Sequence, residues 1–231
     1  NNKEEEMTSV NDKINVLPEN RDITLENVCF SYDGAERDYV LENLNLTIPQ
    51  NKVTAIVGAS GSGKTTVIKL LLGFYEPVKG DIKVGNYSLK DINPHLWRQN
   101  TGAVMQEGFL FSDSIAKNIT ISEESVDTGK LSNAVEMANI KEFIESLPQK
   151  YNSRIGMEGN GVSQGQKQRL LIARAIYKNP VFLFFDEATN ALDANNEKII
   201  LDNLTRFYKG KTVVVVAHRL STVQNADNIV V

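Results

Sequence analysis

At 231 residues, with 41% hydrophobic and 23% charged side chains, the chain has the make-up of a globular protein of one large domain or two small ones. A net charge of −4 and an acidic isoelectric point argue against a sequence-independent grip on nucleic acid or anionic lipid. The single cysteine, Cys29, cannot form an internal disulfide, which fits a reducing compartment, and the longest apolar runs fall far short of the roughly 20 residues that cross a bilayer.

The opening "NNKEEEMTSVNDKINVLPEN" is polar and acidic, without the apolar segment of a signal peptide, and reads as a linker over 1–22. From Ile23 to Ile48 apolar and polar residues alternate around the turn "YDGAERD", predicting antiparallel strands. "KVTAIV" reads as a buried strand, and "TTVIKLLLGF" beyond the glycine-rich stretch as a helix that stops near Gly73. "GDIKVG" is a further strand, "PHLWRQN" a helix opened by Pro94, and "TGAVM" a strand ending at Gln106. Between about Ser112 and Lys178 the spacing becomes helical. "VFLFF" and "TVVVV" then flank one more helix, which predicts parallel pairing. The helical stretch therefore interrupts one α/β core. Expected boundaries are 23–106 and 180–231 for the core, 107–179 for the helical insertion, with an end at Val231 that resembles the middle of a longer domain.

The stretch from Gly58 to Thr66, "GASGSGKTT", fits G-x-x-x-x-G-K-[ST]. Its glycines allow successive N–H groups to turn inward around a phosphate, and the helix behind it offers a positive end. Gly58, Ser60, Gly61, Ser62, Gly63 and Thr66 are thus candidate binding residues. Lys64 would reach the β and γ phosphates, and Thr65 would give its hydroxyl to Mg²⁺. Ligands of an open parallel sheet bind beyond the carboxyl ends of its strands, and three more strands end in fitting groups: Asp186 with Glu187, His218, and Gln106. Singly, each has an ordinary reading as a cap or surface residue; together they suit a magnesium nucleotide. Asp186, with Thr65 and Gln106, would serve the metal. Glu187 would polarise the attacking water, and His218 would brace the γ-phosphate or that water. Nothing in this set caps the far side of the γ-phosphate. "GVSQGQKQR" offers Ser163 and Gly165 at the start of a helix that could face an anion, although an ordinary N-capped helix reads the same way.

These residues, in this order from about Ile23 to Val231, resemble the nucleotide-binding domain of ATP-binding cassette (ABC) transporters. The resemblance implies a P-loop NTPase (RecA-like) parallel-sheet core with an antiparallel β subdomain and an inserted α-helical subdomain. "GASGSGKTT" looks like Walker A, "VFLFFDE" like Walker B, "VSQGQ" like the signature and "NALD" like the D-loop. Gln106 matches the Q-loop glutamine, His218 the switch histidine, and Tyr32 the aromatic that stacks on adenine. By the same resemblance two such domains dimerise head to tail, as a homodimer or heterodimer, so that Ser163, Gly165 and Gln166 meet the partner's ATP and Asp193 crosses the interface. Gln164 stands where the signature usually has glycine, Val162 where it has leucine, and Asn190 where serine commonly precedes A-L-D. "RIGMEGNGVSQGQ" resembles the exporter type, with Glu158 a candidate contact to membrane domains encoded upstream in the same polypeptide. The wording of the signature region is most like bacterial bacteriocin and peptide exporters, often with an N-terminal peptidase, working at the cytoplasmic face of the membrane. DNA-clamping ABC ATPases are the main rival, but they separate Walker A from the signature by a long coiled coil, and no heptads are sustained here. A metabolic P-loop kinase has no evident use for "VSQGQ", "NALD" and His218 together.

Overall fold

The alternation that begins at Ile23 produces two long strands, β1 (Ile23–Phe30) and β2 (Leu41–Ile48), whose inward residues Ile23, Leu25, Val28, Phe30, Leu41 and Ile48 are buried. The computed structural model describes residues 13–33, 38–121, 125–156, 161–217 and 223–231. Next come β3 (Val53–Ile56) and α1 (Lys64–Leu71), then β4 (Lys79–Val84), β5 (Tyr87–Ser88), α2 (Pro94–Asn100) and β6 (Thr101–Val104). Antiparallel pairing gives a four-stranded sheet in the order β2-β1-β4-β5. Ahead of it, Ile14 donates to the Asp91 carbonyl and accepts from Asn93, tying residues of the opening segment to this sheet's flank.

Pro94 sits at the first turn of α2, where no N–H is needed, and the Asn93 side chain accepts from the His95 amide at 2.9 Å. On the inner face of α2 the Trp97 indole donates to the Leu71 carbonyl at 3.0 Å, satisfying an orphan acceptor at the end of α1, and its ring stacks 4.8 Å from that of Phe182.

The inserted stretch holds β7 (Asp113–Ser114), α3 (Ile115–Thr120), α4 (Thr128–Met137), α5 (Lys141–Ser146), β8 (Arg154–Ile155) and α6 (Gln164–Lys178). β7 and β8 form a two-stranded antiparallel ribbon absent from the sequence reading, since two-residue strands leave no periodicity to read. Asn118, only 1% exposed, accepts from the Phe111 amide and donates to the Phe111 carbonyl, while Arg174 of α6 donates to the Asn118 carbonyl at 2.8 Å. The segment beyond Gln106 is thereby fastened to α6.

Last come β9 (Phe182–Asp186), α7 (Ala194–Phe207), β10 (Thr212–Val216) and β11 (Asn228–Val230). With β3 and β6 they make a five-stranded sheet, β11-β3-β10-β9-β6, parallel throughout. Every residue of β9 and β10 is buried, as the unbroken apolar runs require. Phe182, Phe184, Val214 and Val216 face one core with β1, β2 and α1; Leu183, Phe185, Val213 and Val215 face the other, with α3, α4 and α6. The expected class holds: a parallel α/β core joined to an antiparallel sheet and to helices.

Candidate functional site

Strand register sets the site. Ile56 and Asp186 both pair with Val216, and Val104 pairs with Phe185, so β3, β10, β9 and β6 end nearly level. The chain leaving them at that edge carries Gly58, Glu187 and Gln106. A cleft of about 490 Å³ opens there, lined among others by Ser60, Lys64, Thr65, Gln106, Glu187 and Asn190. Sequence-predicted groups carried by the chain leaving three different strands thus meet in one place.

The loop from Gly58 to Gly63 keeps its shape through two left-handed residues, Gly61 at φ 82° and Gly63 at φ 87°. Gly63 is doubly constrained, since a Cβ there would lie 2.6 Å from the Leu41 Cδ2 and 3.2 Å from the Val40 carbonyl oxygen. Lys64, 8% exposed, curls back so that its Nζ donates to the Gly58 carbonyl at 2.9 Å and the Ala59 carbonyl at 2.7 Å. The ammonium is therefore held at the mouth of the loop that the free N–H groups of α1 point toward. Ser62 approaches the same ammonium at 3.4 Å. Beside α1, the Tyr32 hydroxyl lies 3.1 Å from that of Thr66, and the Tyr32 ring packs edge-on against Phe30 and Tyr75 at 5.0 and 5.4 Å. Tyr32 is 47% exposed, with the Lys69 ammonium 5.4 Å from its ring centroid.

Asp186 is 1% exposed, and among the described residues neither carboxylate oxygen has a hydrogen-bond partner. Burial pushes its pKa up, while the neighbouring Thr65 hydroxyl and the Glu187 carboxylate act in opposite directions and Lys69 and Lys64 pull it down. A buried, unsatisfied carboxylate next to a hydroxyl is the donor set a hard divalent cation needs, and with Gln106 at the rim these residues fit Mg²⁺.

Glu187 adopts a left-handed φ of 51°, unusual for a side chain of its size. Its amide donates to the Val216 carbonyl at 3.2 Å, its carbonyl accepts from the Gln168 side chain at 3.1 Å, and its carboxylate accepts from the Asn190 side-chain amide. These bonds aim the carboxylate into the cleft.

The other expected group lies elsewhere. Ser163 caps α6, accepting from the Gln166 amide at 3.2 Å, while the Gln166 side chain accepts from the Ser163 amide at 2.8 Å. Gly165 packs against the Ala191 carbonyl. Asp193 caps α7, and its bond from the Asn196 amide lowers its pKa. Among the described residues, Ser163, Gly165, Gln166 and Asp193 do not line the cleft that holds Lys64. Gln164 does line an adjoining space of about 220 Å³ with Gln106, Gln168 and Glu187. His218 and Glu158 lie outside the described residues.

Gln168 was not singled out in the sequence, although a signal exists. It stands on the apolar stripe of α6 shared by Leu171, Ile172 and Ala175, and a polar side chain on a buried face needs partners. Asn190 was visible only as a departure from serine; its bond to Glu187 required coordinates.

A family profile described as ABC transporter matches residues 41–190. The alpha-hemolysin translocation ATP-binding protein HlyB of Escherichia coli is 43% identical over 216 residues, 93% of this chain and 30% of that protein. Multidrug resistance protein pgp-1 of Caenorhabditis elegans is 43% identical over 209 residues, 90% of this chain and 16% of that protein. Among solved structures, a bacterial Atm1-family ABC exporter with ATP bound superposes with a TM-score of 0.88 at 35% identity, covering 95% of this chain and 38% of that one. The chain spans less than a third of the length of either of those two relatives.

Proposed function

Because the chain belongs to the ABC transporter family as an exporter-type nucleotide-binding domain that binds and hydrolyses ATP, we propose that it is the motor of an exporter, closing head to tail with a second such domain around two ATP molecules. One observation carries this reading: the cleft at the level strand ends gathers Lys64, Thr65, Gln106 and Glu187, while the α6 start that suits a γ-phosphate lies outside it. A second copy, identical or related, supplies the missing cap.

In this mechanism Tyr32 stacks on the adenine, and the N–H groups of Gly61 to Thr66 cradle the phosphates, with Ser60, Ser62 and Gly58 shaping the loop. Lys64 gives up its loop carbonyls for the β and γ phosphates. Thr65, Asp186 and Gln106 would hold Mg²⁺, which when bound neutralises charge developing between the phosphates. Glu187, oriented by Asn190, takes a proton from water as that water attacks the γ-phosphorus and the bond to the β-phosphate oxygen breaks, leaving ADP and phosphate. His218 braces the γ-phosphate or that water. Ser163, Gly165 and Gln166 of the partner donate to its outer oxygens, and Asp193 crosses the interface. Binding that favours only the closed pair shifts the population toward it, and hydrolysis releases it.

The domains drive membrane-spanning partners of the same polypeptide at the cytoplasmic face of a bacterial membrane, with Glu158 as a contact to them. No helix among the described residues is long and apolar enough to cross a membrane itself. The cargo is a peptide or bacteriocin. Support for a polypeptide cargo comes from the wording of the signature region and from the toxin-translocating relative. Glu187→Gln tests the catalytic assignment. ATP binding should persist while turnover falls on the order of 10²- to 10⁴-fold, the usual cost of losing a general base. Wild-type turnover in that variant would refute it.

A further inference from the structure

The five residues from Glu187 to Ala191 form a tight turn that carries the hydrolytic carboxylate at one end and enters the D-loop at the other. The turn is closed internally by the Asn190 amide donating to the Glu187 carbonyl at 3.2 Å. A single side chain from another element spans both ends. Gln168, in the second turn of α6 and only 7% exposed, donates through Nε2 to the Glu187 carbonyl at 3.1 Å and accepts through Oε1 from the Ala191 amide at 3.0 Å. Both halves of one buried amide are thus used on the two backbone groups that bracket the turn. Glu187 needs holding, because its φ of 51° is a conformation that a non-glycine residue keeps only when its surroundings over-determine it.

The same helix grips the neighbouring segment at two further points. Gly165, one turn earlier, approaches the Ala191 carbonyl so closely that a Cβ would lie 3.2 Å from it. Arg169, next in sequence, donates to the Asn139 carbonyl at 2.6 Å and to the Asn196 side chain at 3.3 Å, and Asn196 in turn donates to Asp193. A rigid helix registered at Glu187, Ala191 and Asn196 cannot shift without moving all three.

We propose that Gln168 is a positioning residue that couples the start of α6 to the carboxylate of Glu187, so that engagement of Ser163 on the partner's nucleotide sets the readiness of this chain's own site. The inference rests on the functional reading above. Gln168 acts through the backbone of Glu187, to whose carbonyl it donates. Its loss should leave ATP affinity intact and misaim the base, and misplacement of a catalytic group by about 1 Å costs on the order of 10²-fold in rate.

The test uses Gln168→Met, which keeps the unbranched length and loses both bonds, and Gln168→Glu, which keeps the acceptor for Ala191 and loses the donor to Glu187. Expected for both is a kcat about 10- to 100-fold below wild type, with KM for ATP within about 2-fold and a melting temperature lowered by several degrees, as the unpaired backbone groups require, but still well above the assay temperature. ATP-driven dimerisation, read by light scattering in the Glu187→Gln background, should survive the added Gln168→Met. A kcat within about 2-fold of wild type in both variants overturns the inference, as does a fall in kcat matched by an equal rise in KM or by loss of the ATP-driven dimer. If Gln168→Met does not fold, Gln168→Glu decides by the same criteria. Wild-type turnover in Glu187→Gln overturns the catalytic assignment of Glu187 and this inference with it. An inactive Glu187→Gln beside a fully active Gln168→Met overturns the inference alone.

Discussion

Asp186→Asn should make the ligand-free chain more stable while abolishing its magnesium-dependent hydrolysis. The carboxylate is 1% exposed with neither oxygen bonded among the described residues, and burial raises its pKa above the ordinary 3.8. The folded chain therefore holds this proton more tightly than the unfolded chain does. That favourable contribution is complete below 3.8 and is lost as pH rises through the folded value, leaving a burial penalty on the charged form that Thr65, Lys69 and Lys64 offset only in part. An unsatisfied buried group costs about 1 to 3 kcal/mol, and a charged one more. For a chain of this size, each kcal/mol moves the melting temperature by about 2 to 4 °C. Thermal unfolding followed by circular dichroism without Mg²⁺ or nucleotide should place Asp186→Asn at least about 2 °C above wild type at pH 7, the gap narrowing as pH falls toward the carboxylate range. With MgATP the order should reverse, because ligand stabilises only the chain that binds it. A variant no more stable than wild type at pH 7, or an offset that ignores pH, would refute a net burial penalty on the Asp186 charge.

Gly63→Ala should abolish ATP binding, measured with a fluorescent nucleotide, because φ is 87° there and the new methyl would meet Leu41 at 2.6 Å; near-normal affinity would contradict the loop geometry. Tyr32→Phe, which loses only the bond to Thr66, should keep KM for ATP within about 2-fold, whereas Tyr32→Ala should raise it about 3- to 10-fold, as loss of one aromatic stack predicts. Equal effects of the two would assign the residue's role to its hydroxyl.

The fold was legible where burial imposes an unambiguous period. "FLFF" and "VVVV" are apolar at every position because both sheet faces are covered, and "GASGSGKTT" fixes a strand, loop and helix by its conformational needs alone. The ribbon of Asp113–Ser114 with Arg154–Ile155 was not legible, since its pairing is long-range and too short to leave a pattern. At the site, the level strand ends bring Gln106 and Glu187, the polar residues just beyond two of them, to the same cleft as Lys64 and Thr65. Sequence order alone did not reveal how Glu187 is held. Gln168 lies 19 positions upstream and reaches the turn only through packing of α6, and Asn190 reaches Glu187 only because the turn folds back.

The most direct measurement is the steady-state ATPase rate per chain as protein concentration is varied, with oligomeric state followed by light scattering. A site completed by the Ser163 helix start of a second copy should show a rate per chain that climbs with concentration and levels off once the ATP-bound dimer dominates. A rate per chain that stays at its full value down to concentrations where the protein is monomeric would contradict a shared site.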